Sequence, residues 1–114
     1  MITVNDYEEH KSKLVRHCPE LVPLFTVLHD KANTQKMTTN QAELDNLIEN
    51  GWREIEKVGY CVNGKKCGAT KALRELRETA ELGDIIYTTT DDEFNSLNNK
   101  GSFQGSGTTI CYVW

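Results

Sequence analysis

The chain has 114 residues, 38% of them apolar, and its 8 glycines lift the broader apolar share to about 45%, so it has the composition of a globular domain and not of a disordered chain. Its net charge of -4 argues against a nucleic-acid binder, which needs a basic field. The longest apolar run, Leu21 to Leu28, falls far short of the roughly 20 residues that span a membrane.

The first segment, Asp6–His17, reads as a weakly periodic helix carried by Tyr7, Leu14 and Val15, with Asn5 as cap and Glu8 at the third helical position. Pro23–Leu28 reads as extended. Lys36–Thr39 is a short Thr-rich strand. Asn40-Gln41-Ala42-Glu43 is a capping box, in which the first side chain accepts from the third amide and the Glu reaches back to the cap amide. Leu44 and Leu47 give the helix an apolar stripe, and Gly51 sits one step past its last turn, where a left-handed residue is wanted. Lys57–Val62 is a strand. The loop Cys61–Cys67 carries Asn63-Gly64, a hairpin signal.

Ala72–Glu78 has strong helix propensity, but alignment with Pro23–Leu28 reads it as a strand. Ile85–Thr89 is the next strand. Thr90-Asp91-Asp92-Glu93 is a second capping box, and its acidic residues suit a helix N-terminus. Phe94 and Leu97 give the stripe, Gly101 the stop, and Thr108–Val113 the last strand.

These elements match in pairs. Shifted by 50 residues, Met37–Val62 lies on Tyr87–Tyr112 without a gap, and 6 of 26 positions are identical: Thr38/Thr88, Thr39/Thr89, Glu43/Glu93, Leu47/Leu97, Gly51/Gly101 and Cys61/Cys111. Shifted by 49, Cys18 falls on Cys67 and Leu24 on Leu73, so one residue is gained near Gly83. The expected fold class is α+β: one domain over 1–114, with an N-terminal arm (1–17) and two pseudo-symmetric strand-strand-helix-strand repeats (18–62 and 67–114) sharing one core.

Four cysteines, Cys18, Cys61, Cys67 and Cys111, are spaced by 43, 6 and 44 residues, a poor match to paired zinc spacings. Two disulfides are the better reading, with an oxidising compartment and a secreted chain whose leader has been removed. The alternative is four buried thiols in a cytosolic protein. All three pairings respect the internal match. The Asn-Gly turn favours Cys61–Cys67 with Cys18–Cys111, against Cys18–Cys61 with Cys67–Cys111.

Two runs carry a resemblance: Cys67-Gly68-Ala69-Thr70-Lys71-Ala72-Leu73-Arg74 followed by Gly83-Asp84-Ile85-Ile86-Tyr87-Thr88-Thr89, and Val22-Pro23-Leu24-Phe25 followed by Met37-Thr38-Thr39, Gly51-Trp52, Glu56 and Gly59-Tyr60. This arrangement resembles a tandem extracellular repeat family of unknown function. Its pattern runs PLYRLYNP, GDHFYTT, a helix with Glu and Leu, GW or GY, then EG and an aromatic. The resemblance implies a strand-strand-helix-strand unit and, by the company such units keep, glycan binding. This chain departs from the pattern. The family's His is Gln35 and Ile85, its Tyr is Met37 in the first unit and Tyr87 in the second, and its Trp is Trp52 but then Ser102.

Catalytic readings are weaker. His17 adjoins Cys18, but sequence neighbours rarely face each other usefully and no orienting third group follows. Glu43 and Glu93 as a hydrolytic carboxylate pair are already explained as caps. His10, His17 and His29 show no metal spacing, and Lys65, Lys66, Lys71, Arg74 and Arg77 read as a solvated basic face.

Sugars present apolar faces ringed by hydroxyls, so a site wants an aromatic platform beside polar groups. Trp52 with Glu56, Tyr87 with Asp84 and Thr88, and the terminal Trp114 are the candidates. Packing between the units is the competing role for Trp52, Tyr60, Tyr87 and Tyr112. The expectation is a secreted, non-enzymatic, lectin-like module that binds a glycan or glycoprotein. It needs no cofactor, metal or nucleic acid and does not insert into a membrane. The alternative is a secreted protein-binding module, an inhibitor or effector, that uses the arm and Trp114.

Overall fold

The computed structural model describes residues 1–78, 84–99, 101 and 103–114. In chain order they form β1 (Ile2–Thr3), α1 (Val4–Glu9), α2 (Lys11–His17), β2 (Leu21–His29), β3 (Thr34–Thr38), α3 (Gln41–Glu49) and β4 (Trp52–Val62). β5 (Lys71–Glu78), β6 (Ile85–Thr88), α4 (Asp91–Asn99) and β7 (Phe103–Val113) follow. The residue gain inferred near Gly83 and the departure at Ser102 lie outside the described residues.

The expected α+β fold of helix-bearing repeats is corrected. The chain is sheet-dominated: among the described residues seven strands form one sheet in the order β3-β2-β4-β7-β5-β6, with β1 added to β4, and every pairing is antiparallel. The element order alone does not set the class. The helices are short, α3 fully buries Leu44 alone, and α4 buries none of its described side chains. The strands therefore carry most of the apolar burial.

Between β4 and β7 the described ladder is a single pair, Val62 opposite Tyr112. At the far ends of the strand order, the Tyr87 hydroxyl of β6 accepts from the Met37 amide of β3 at 2.8 Å. The sheet therefore curls until its outer strands meet. Inside the curl lie Leu24, Cys61, Leu73, Cys111 and Val113, with Met37, Val58, Tyr87 and Ile110 against them. The single shared core expected from sequence becomes three clusters. The second joins Cys18, Val62 and Ala69, and the third packs Phe25, Val27 and Leu44 with Leu47 and Trp52 beneath α3. Burying each large aliphatic side chain contributes about 1.5–3 kcal/mol.

Strand alternation explains which side chains face the curl. On β2, Leu24 points inward while Phe25 and Val27 meet α3. On β5, Leu73 and Glu75 stand two apart, and Glu75 pairs in register with Tyr87. Ala72–Glu78 is thus strand despite its helix propensity, because β7 and β6 supply ladders on both sides.

The arm is also corrected. Thr3, not Asn5, caps α1, accepting from the Asp6 amide at 3.1 Å, and the helical segment breaks at His10 into α1 and α2. β1 crosses β4 at Gly59, where a Cβ would lie 2.5 Å from the Ile2 carbonyl oxygen, so only glycine fits without a shift. Tyr7 then stacks on Tyr60 with centroids 3.7 Å apart.

Both favoured disulfide pairings are overturned. The bonds are Cys18–Cys67 and Cys61–Cys111. The Asn63-Gly64 turn does not close a hairpin, because β7 lies between β4 and β5 in the sheet. Cys61 and Cys111 therefore meet across the β4–β7 join, beside the described ladder pair of Val62 and Tyr112.

Candidate functional groove

A groove of about 450 Å³ opens where the start of α3 approaches β5 and β7. One wall is Lys36, Met37, Thr38, Thr39, Asn40 and Glu43. The other is Glu75, Arg77, Thr108, Thr109 and Ile110. Local chemistry shapes the first wall. Asn40 caps α3 by accepting from the Glu43 amide at 3.0 Å. The reciprocal half of the capping box is not used, because the Asn40 amide donates to Thr38 Oγ1 at 3.1 Å. Glu43 is thereby released to pair with Lys36 at 3.5 Å on the groove rim.

The second helix start repeats this chemistry: Thr90 accepts from the Glu93 amide at 3.3 Å, while its own amide donates to Thr88 Oγ1 at 3.3 Å. Thr39 Oγ1 contacts Asn63 Oδ1 at 3.3 Å, fastening the β4–β5 loop to the groove rim.

The groove floor holds the chain's one fully buried carboxylate among the described residues. Glu75 is 2% exposed. Its Oε2 accepts from the Tyr87 hydroxyl at 3.1 Å and its Oε1 from Arg77 Nε at 3.2 Å. A buried charge is tolerated only when paired in this way. Burial pushes the Tyr87 phenol well above its ordinary range, and the Glu75 charge adds to that, against the opposing Met37 amide. Tyr87 therefore remains a neutral donor to Glu75. Lys36 and Arg77 balance Glu43 and Glu75, so the lining is rich in hydrogen-bonding groups but carries no net charge.

The predicted site residues do not converge. Trp52 packs on the α3 cluster and meets His29 edge-on at 5.2 Å. His29 in turn accepts from the Ala32 amide through Nδ1 at 3.2 Å, which makes it a loop anchor. Beside them Arg53 holds the exposed Asp30 carboxyl below its usual range by a hydrogen bond. Glu56 is exposed on β4. Asp84 is exposed, and its amide donates to Glu78 Oε2 at 3.0 Å. Thr88 is buried as an acceptor for Thr90. Trp114 is 39% exposed and donates from Nε1 to the Cys67 carbonyl at 2.7 Å. Tyr87 alone touches the groove chemistry, through Glu75.

Three residues of the basic stretch are held in ion pairs. Arg74 meets Asp91 and stacks over Phe94 at 3.9 Å, Arg77 meets Glu75, and Lys66 lies 4.0 Å from Glu20. Sequence reasoning missed Glu75, Arg77, Asn40, Thr108 and Thr109 as groove residues. The available signal was a Glu two positions after Leu73 on a strand that faces the interior. That signal becomes visible only once Ala72–Glu78 is known to be a strand.

No curated protein and no solved structure matches this chain. One family profile does, and it covers residues 3–114 in a single match. On that coverage the chain belongs to the DUF5648 family, a domain of unknown function.

Proposed function

We propose that the chain is a non-enzymatic saccharide-binding module that works outside the cell, with the groove above Glu75 as its site. The observation that carries the reading is Glu75 itself, a buried carboxylate fixed by Tyr87 and Arg77 on the floor of a polar groove without net charge. Carboxylate, amide and hydroxyl groups in fixed positions suit a neutral, hydroxyl-rich ligand, and Met37 and Ile110 offer it an apolar face. The fixed hydrogen bonds of Glu75 suit holding a ligand more than exchanging a proton with it. Two disulfides support an oxidising compartment. The aromatic platform first expected gives way to a hydrogen-bonding site, since Trp52 and Trp114 lie on other surfaces.

The test is a glycan array with the oxidised protein, followed by calorimetry on any hit. Glu75→Gln and Lys36→Ala should each weaken binding about tenfold, the loss of one charge-assisted hydrogen bond. Absence of binding by the folded protein at high concentration would sink the reading. A protein partner is the second reading, favoured by the exposure of Trp114 beside the arm junction. A pull-down that survives deglycosylation of the captured partner would favour it.

A further inference from the structure

The spacing of the cysteines along the chain offers no metal set, but the fold assembles one. Cys18 ends α2, Glu20 follows two residues later, and Cys67 comes from the β4–β5 loop. Their ligating atoms all lie within 4.8 Å of one another. Glu20 Oε2 stands 3.9 Å from Cys18 Sγ and 3.7 Å from Cys67 Sγ. These are contacts and not hydrogen bonds, since a disulfide sulfur carries no proton.

In tetrahedral zinc, Zn–S of about 2.3 Å and Zn–O of about 2.1 Å place sulfur and oxygen roughly 3.6 Å apart. The carboxylate already stands near that separation from both sulfurs. Only the sulfurs, held together by their bond, are too close.

We propose that Cys18, Glu20 and Cys67 form a redox-gated zinc site, closed in the disulfide and opened by a small dithiol. A thiolate of the dithiol attacks Cys67 Sγ and displaces Cys18 as thiolate. The second thiol of the reagent then releases Cys67 and leaves as its own cyclic disulfide. The protein disulfide gains two electrons, the reagent loses two, and its two thiol protons pass to Cys18 and Cys67 or to solvent. Zinc then binds both thiolates and Glu20, and any remaining thiol protons go to solvent. The fourth position faces water. Two thiolates and a carboxylate leave one net negative charge around the metal, and Lys66 Nζ, 4.0 Å from Glu20 Oε1, stands ready to balance it.

Access makes the gate selective. Cys67 is exposed, whereas Cys61 and Cys111 are 0% and 1% exposed in the core. Cys67 also adopts a positive φ of 56°, an uncommon conformation for a residue with a Cβ, and lies in the β4–β5 loop outside the described ladders. The sulfurs can therefore part while β4 and β7 keep their join. The site shares no residue with the groove.

The test uses the full chain, reduced by dithiothreitol and freed of it by gel filtration under argon. Alkylation followed by peptide mass mapping should find Cys18 and Cys67 labelled at a dose that leaves Cys61–Cys111 intact. Cobalt(II) should then give thiolate-to-metal charge-transfer absorption that saturates at one ion per chain and is displaced by zinc. Glu20→Gln should weaken cobalt binding at least about tenfold, as loss of metal-site partners does. The Cys18→Ser/Cys67→Ser variant should lose the absorption. The proposal is overturned if both disulfides open at the same dose, if the selectively reduced, folded protein shows no thiolate–cobalt absorption, or if the double variant retains it.

Discussion

The Tyr87 hydroxyl accepts the Met37 amide at 2.8 Å and donates to Glu75 at 3.1 Å, so one side chain both closes the curled sheet and fixes the groove floor. Tyr87→Phe keeps the ring packing but leaves the Met37 amide and the Glu75 carboxylate each short of a partner. The expected loss is about 1–3 kcal/mol in urea unfolding.

The same residue sets an alkaline limit. Its pKa is raised in the fold by burial, so its stabilising contribution is complete below the unfolded value of about 10. That contribution fades as pH rises from there toward the folded value, where the unfolded chain loses the proton first. Stability should fall above about pH 10 in the native chain, and Tyr87→Phe should remove that part of the slope. Equal slopes in the two proteins would contradict this account.

Gly59→Ala tests the docking of the arm. The added methyl would sit 2.5 Å from the Ile2 carbonyl oxygen and 2.8 Å from Met1 Sδ. The strand β1 should lift from β4, at a cost of about 1–3 kcal/mol. Limited proteolysis should cut within residues 1–17 faster than in the native chain, with the rest of the sheet unchanged by circular dichroism.

The two disulfides close loops of nearly equal length, with separations of 49 and 50 residues, so chain entropy alone gives each about 4 kcal/mol. Burial separates them. Cys61→Ala/Cys111→Ala also hollows the main core and should cost more than Cys18→Ala/Cys67→Ala, by about 1–3 kcal/mol. Equal midpoint shifts in guanidinium would show that the core position adds nothing.

At the start of α3, the half-used capping box separates two residues. Asn40→Ala should cost about 1 kcal/mol, the loss of a side-chain cap. Glu43→Gln should cost about 0.5 kcal/mol or less, because its part-exposed pair with Lys36 is all it gives up. Thermal unfolding of the two variants side by side checks this difference.

Local rules were legible in the sequence because they depend on residues within one turn or ladder step. Asn40 and Thr90 were readable as caps because an oxygen three residues before an amide is within reach whatever the rest of the chain does. Gly51 and Gly101, with φ of 94° and 78°, were readable as helix stops because a Cβ disfavours that conformation. The short strands before and after each helix were readable from Thr and β-branched residues, although β4 and β7 run longer than expected.

What the tertiary structure decided are the relations between distant residues. Fold class turned on where apolar area is buried, and short helices with narrow stripes left that to the sheet. Disulfide pairing turned on strand order, because β7 enters between β4 and β5 and carries Cys111 to Cys61. The groove turned on the curl that puts Glu75 beneath Asn40 and Thr38. A one-dimensional pattern records which residues can bury, cap or turn. It does not record which of several chemically equivalent partners the strands bring together, because that choice belongs to the packing of the whole sheet.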